Sequence, residues 1–152
     1  MSGRPATDRG EGAFLDLLRT AAVLERALAR LFRPVGITWT QYDALRILRG
    51  SHPEALACSD VGARMVTPVP DVTRLLDRLE GRGWVERRRA AEDRRVVLVA
   101  ITGDGLGLLE RLDPQVETWI ERRFAPLSRR QLDALVENLE ILRRETAEDD
   151  DE

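Results

Sequence analysis

Gly81-Arg82-Gly83-Trp84-Val85-Glu86-Arg87-Arg88-Arg89-Ala90-Ala91-Glu92-Asp93-Arg94-Arg95-Val96-Val97-Leu98-Val99-Ala100-Ile101-Thr102 is the stretch in which the hydrophobic period of this chain changes. Upstream, apolar residues recur every three or four positions, the spacing of an amphipathic helix. From Trp84 they gather in short β-branched runs. The glycines end a helix, and Trp84–Arg88 and Arg95–Ile101 read as strands. The polar residues 89–94 between them close a β-hairpin with a charged tip.

Working outward, Val72, Leu75, Leu76 and Leu79 mark a helix from about Val69 to Gly81. It follows Thr67-Pro68-Val69-Pro70, a turn whose prolines are tolerated in a first helical turn. Ser59 is expected to cap a short helix from Asp60 to about Met65, with Gly62 as its weak point. Residues 50–58 read as a loop. Thr38-Trp39-Thr40-Gln41 is a capping box opening a helix with Trp39, Tyr42, Leu45 and Leu48 on one face. Before it, Phe14, Leu17, Leu18, Ala21, Leu24, Leu28, Leu31 and Phe32 fall at helical spacing up to Pro34-Val35-Gly36. Downstream, Thr102 caps a helix running through Leu109, Leu112, Val116 and Phe124. A second capping box, Ser128-Arg129-Arg130-Gln131, opens a last helix striped by Leu132, Leu135, Val136, Leu139 and Leu142.

That order makes the chain mainly α with a small β-hairpin wing. The architecture expected is a winged helix-turn-helix, with N- and C-terminal helices forming a dimerisation region. Residues 1–10 are expected to form a flexible arm and 11–36 the first dimerisation helix. Residues 37–102 form the winged helix-turn-helix, its helix pair at 59–82 and its wing at 84–102. Residues 103–146 supply C-terminal dimerisation helices, and 147–152 an acidic tail.

Charge supports a nucleic-acid partner only when read locally. The formal net charge is −3, with 24 basic residues, every one of them arginine. Six acids and no base lie between Glu145 and Glu152; without them the balance is 24 basic against 21 acidic. Residues 64–95 carry nine arginines against six acids. One cysteine, Cys58, and one histidine, His52, exclude a disulfide framework and a zinc cluster. Gly103-Asp104-Gly105-Leu106-Gly107 lacks the strand-turn-helix setting of a nucleotide fingerprint and reads as a helix start. No catalytic triad, metal site or cofactor is expected, and no enzyme activity. No apolar run reaches the roughly 18–20 residues of a membrane span, so the expected location is cytoplasmic.

The chain resembles the MarR family of bacterial transcriptional regulators. The resemblance is carried by Thr38-Trp39-Thr40-Gln41-Tyr42, by Asp71-Val72-Thr73-Arg74-Leu75-Leu76-Asp77-Arg78-Leu79-Glu80, by Gly83-Trp84-Val85-Glu86-Arg87, and by Asp93-Arg94-Arg95 running on to Ile101-Thr102-Gly103. In order and spacing it covers about residues 12–144. It implies a homodimer that binds a near-palindromic operator in double-stranded DNA, commonly represses, and is often released by a small-molecule effector.

The resemblance also assigns residues. Pro70, Asp71, Thr73 and Arg74 match the first turns of the recognition helix, with Arg78 one turn on. Arg74 suits a guanine edge. Pro70 and Asp71 depart from the small polar residues common there. In the wing, Arg87, Arg89, Arg94 and Arg95 are candidate DNA contacts. Asp93 braces an arginine while Arg95 enters a minor groove, where negative potential attracts a guanidinium. Arg87, Arg88 and Arg89 alternate along a strand, so not all of them face DNA. Trp39 and Tyr42 read first as core; the resemblance also places a ligand pocket beside them. Cys58 reads as inert, because peroxide-sensing relatives carry their reactive cysteine in the first helix. The competing reading is a winged-helix protein–protein interaction module without DNA binding, favoured by Asp71 and the acidic tail.

Overall fold

The computed structural model describes residues 6–149. Its helices are α1 (Ala6–Phe32), α2 (Trp39–Ser51), α3 (Cys58–Arg64), α4 (Val72–Gly81), α5 (Gly103–Phe124) and α6 (Arg129–Asp149). Its strands are β1 (Leu56–Ala57), β2 (Val85–Arg89) and β3 (Val97–Ile101). The chain divides after Leu112 into two compact units.

In the first unit the capping box of α2 is complete. Gln41 N–H donates to Thr38 Oγ1 at 3.2 Å, and Thr38 N–H donates to Gln41 Oε1 at 3.1 Å. Both bonds satisfy amides that a helix start leaves without partners. Phe32, Tyr42, Leu45, Leu48, Val61, Leu76, Leu79 and Val99 are buried and form the core on which α2, α3, α4 and the sheet meet. Tyr42 lies 5.1 Å from Phe32, ring to ring. The sheet is antiparallel in the order β1-β3-β2. Val85 pairs with Ile101 and Arg87 with Val99, so the hairpin expected from the change of period is present.

Five local expectations are corrected. The stretch 50–58 is not all loop: α2 continues to Ser51, and Leu56 and Ala57 pair with Val99 and Leu98. The chain leaves that strand directly into α3, so Ala57 is the N-cap, without a side-chain bond, and Ser59 lies inside the helix. Helix α4 begins at Val72, not Val69, because Asp71 caps it: Asp71 Oδ1 accepts from Arg74 N–H at 2.9 Å. Helix α1 starts at Ala6, so residues 6–10 of the expected arm are helical; residues 1–5 lie outside the described residues. At the other end α6 runs to Asp149, taking in residues 147–149 of the acidic tail, while 150–152 lie outside the described residues.

Two glycines position α4 and the hairpin. Gly83 (φ 75°) ends α4 in the left-handed region that glycine enters without penalty. Trp84 N–H then donates to Leu79 O at 3.1 Å and Gly83 N–H to Glu80 O at 2.9 Å, the paired bonds of a Schellman ending. The turn delivers Trp84 straight into the hairpin. Gly62, a weak point by propensity, is where α3 touches α4: a Cβ there would stand 2.8 Å from Val72 Cγ2.

In the second unit, Ser128 N–H donates to Gln131 Oε1 at 2.9 Å and Gln131 N–H to Ser128 Oγ at 3.2 Å, completing the second capping box. Val136 and Leu142 of α6 are exposed. In the first unit, α1 leaves Phe14, Leu17 and Leu18 exposed. Among the described residues no helix is long and apolar enough to cross a membrane.

Candidate nucleic-acid interface

The turn between α3 and α4 is pinned from α2. Asp43, only 3% exposed, accepts the Val66 N–H at Oδ2 (2.8 Å), and Trp39 Nε1 donates to Thr67 Oγ1 at 3.3 Å. Two side chains one turn apart on α2 thus hold the turn that leads into α4. From that start Leu75, Leu76 and Leu79 face the core, and Thr73, Arg74, Asp77 and Arg78 face outward. Pro70, Asp71, Arg74 and Arg78 border one open groove of about 380 Å³, together with Thr38, Thr40 and Gln41 of the α2 start.

Asp71 has a local reason for standing where a neutral polar residue was expected. Its carboxylate faces the first-turn amides of α4, where a negative charge is favourable. Trp39 and Tyr42, read first as core, do not line this groove. Tyr42 is buried beneath Phe32 and Trp39.

At the wing tip, Val96 N–H donates to Asp93 O (3.0 Å) and Ala90 N–H to Val96 O (2.9 Å). Arg89 Nη1 donates to Arg94 O at 2.6 Å, holding the turn from the β2 side. Asp93 braces Arg95 itself: Oδ1 accepts from the Arg95 backbone N–H (3.0 Å) and Nε (3.1 Å), and Oδ2 from Nη2 (3.2 Å). These bonds hold the Asp93 carboxyl below the usual carboxylate range. The Arg95 side chain is nonetheless 91% exposed, an oriented cation at the end of the hairpin. Arg94 is also exposed. Thr73 and Arg95 border the same cavity of about 290 Å³, so the first turn of α4 and the wing tip open to one side.

Arg87 has a different place from the other wing arginines. Its side chain is 19% exposed and its Nη2 bonds Asp77 Oδ1 and Glu80 Oε1 of α4. It faces back toward the helix, while Arg88 and Arg89 are exposed. The guanidinium holds the Glu80 carboxyl below its ordinary range. Arg82, which the sequence did not single out, reaches from the end of α4 to the carbonyls of Val35 (3.1 Å) and Gly36 (3.3 Å) and stacks 4.2 Å over Trp84. No local pattern marks Asp43, Arg82 or the Asp77–Glu80 pair, because their partners are distant in sequence. Burial pushes the Cys58 thiol up, against the opposing charge of Arg87.

A model of the MarR family matches residues 35–96. The crystal structure of a MarR transcription factor from Planctomyces limnophilus is 35% identical and covers 93% of this chain and 99% of its own, with a TM-score of 0.70. The HTH-type transcriptional regulator PecS of Dickeya dadantii is 31% identical over 113 residues, 74% of this chain and 66% of PecS. The structure of Bordetella bronchiseptica BpsR, described in terms of regulation of its DNA binding by 6-hydroxynicotinic acid, is 27% identical. It covers 84% of this chain and 90% of its own, with a TM-score of 0.73. The chain spans between 60% and 68% of the length of PecS and two other curated relatives.

Proposed function

Because the chain belongs to the MarR family of transcription factors, we propose that it is a dimeric, sequence-specific DNA-binding regulator, a repressor released by a small ligand and working in the cytoplasm. The observation that carries this reading is the shared opening of Thr73 and Arg95. A helix start and a braced cation facing one side suit a major groove and its neighbouring minor groove. Arg74 and Arg78 supply further positive charge along the helix, and Arg94 beside Arg95 supplies it at the tip.

Two copies are needed to read a near-palindrome. The exposed apolar side chains of α1 and of α6 support pairing between two copies, each covering what a single chain leaves in water. Residues 11–36 and 103–146 then serve dimerisation, and 37–102 serve reading. Release by a small molecule is supported by BpsR, whose DNA binding is regulated by 6-hydroxynicotinic acid. In this chain the groove beside Arg74 is a space that an occupant and DNA would share.

The protein–protein alternative loses one of its supports. Asp71 is accounted for as the helix cap and need not signal a cationic partner. Binding to the DNA flanking its own gene, compared among the unaltered protein, Arg74→Ala and Arg95→Ala, tests the reading. Arg95→Ala should weaken binding to many sequences, whereas Arg74→Ala should relax preference at one base pair by about 1–3 kcal/mol. Identical binding by all three would show the docking mode to be wrong.

A further inference from the structure

Helix α4 and the wing are joined covalently by only three residues, 82–84. The Schellman ending fixes their separation at the base, but the tilt of the hairpin depends on contacts further along. Arg87 makes that contact at the middle of β2. Its Nη2 bonds Asp77 Oδ1 and Glu80 Oε1 (3.1 Å for the latter), and its backbone N–H donates to Glu80 Oε2 at 2.9 Å. Strand β2 is an edge strand, and Glu80 satisfies an amide that such an edge leaves without a neighbouring strand. Asp77 and Glu80 stand three residues apart and so share a face of α4. One residue of the wing is therefore held at both side chain and backbone by two carboxylates of the recognition helix. Charge-assisted bonds of this kind are directional as well as strong.

We propose that Arg87 is a positioning residue: it sets the tilt of the wing against α4, so that Thr73 and Arg95 meet the same stretch of DNA, and does not itself contact phosphate. The inference rests on the DNA-binding reading above. Arg87 borders the cavity shared by Thr73 and Arg95, but two carboxylates of α4 hold its Nη2 on the helix side and its side chain is 19% exposed, against 91% for Arg95. Any change of tilt at Arg87 is carried out to the tip, roughly 7 Å further along the strand at Arg89 and beyond.

Glu80→Gln gives a test with a definite sign. Removing a carboxylate beside DNA should strengthen binding by charge alone. The clamp predicts the reverse: Glu80→Gln and Arg87→Ala each weaken binding by roughly 2- to 30-fold. The slope of affinity against salt stays that of the unaltered protein, and the double variant weakens binding little further. Loss of a phosphate contact would lower that slope by about 0.9. Tighter or unchanged binding by Glu80→Gln, or a slope lowered by about 0.9 in Arg87→Ala, overturns the proposal. Should Arg87→Ala fail to fold, the isosteric Glu80→Gln decides alone. Backbone ¹⁵N relaxation of residues 90–95 gives a readout without DNA: order at the tip falls in Glu80→Gln if the clamp acts and is unchanged if it does not. If the unaltered protein binds no duplex, the DNA-binding reading fails, while the relaxation result still decides the clamp.

Discussion

Gly62→Ala sets helix propensity against packing. Propensity alone favours the change, since glycine in a helix interior costs about 1 kcal/mol relative to alanine. The structure opposes it. The new Cβ would lie 2.8 Å from Val72 Cγ2, inside the roughly 3.5–4.0 Å of ordinary carbon contact. Val72 is β-branched, with a stiff χ1, and is the first residue of α4. Relief of the overlap must therefore shift the start of α4 against α3. Overpacking of this kind costs about 1–3 kcal/mol, leaving a net destabilisation of about 0–2 kcal/mol. At roughly 2–4 °C per kcal/mol for a chain of this size, Tm falls by up to about 8 °C. Thermal unfolding followed by circular dichroism, with reversibility checked, measures it. In a Val72→Ala background the overlap is gone and Gly62→Ala should stabilise by about 1 kcal/mol. A raised Tm in the unaltered background, or the same effect in both backgrounds, would refute the packing argument.

Asp71→Ala removes the cap of α4 and should destabilise by about 1 kcal/mol, while Asp71→Ser keeps a capping oxygen and most of the stability; parallel melts separate the two. The Asp93 brace has a defined pH window. Its folded pKa lies below the unfolded one, so the brace is complete above the ordinary carboxylate range, near about 3.9, and is lost as pH falls through the lowered value. A carbon-13 titration of the Asp93 carboxyl should show a midpoint below that range in the unaltered protein and a rise toward it in Arg95→Ala; equal midpoints would mean that the pair does not form in solution. Leu18→Glu places a charge on the exposed apolar stripe of α1 and should shift a dimer toward monomer in analytical ultracentrifugation, with an unchanged sedimentation profile counting against that face as the interface.

What could be read from the sequence was what local chemistry decides. Both Thr38–Gln41 and Ser128–Gln131 carry their partners within three residues, and both boxes form. The change of period at Trp84 marks the hairpin because alternation needs no knowledge of the rest of the chain. Ser59 misled because Leu56 and Ala57 are recruited by β3, more than forty residues away, which sets the start of α3. Asp71 was open to two readings until the bond to Arg74 N–H showed α4 starting after the prolines. Among Arg87, Arg88 and Arg89, alternation sets Arg88 on the face opposite the other two, but only Asp77 and Glu80 on the packed helix draw Arg87 inward. Gly62 is the same lesson in reverse: a residue that weakens its own helix lets the next one approach.

The central claim is that this module binds duplex DNA through phosphates on the side where Thr73 and Arg95 open together. Its most direct test is the affinity of the full chain for the DNA flanking its gene, measured at several salt concentrations. A dimer making about 6–10 phosphate contacts should lose roughly 10³–10⁵ in affinity between about 50 and 200 mM salt. An affinity that stays flat across that range would contradict it.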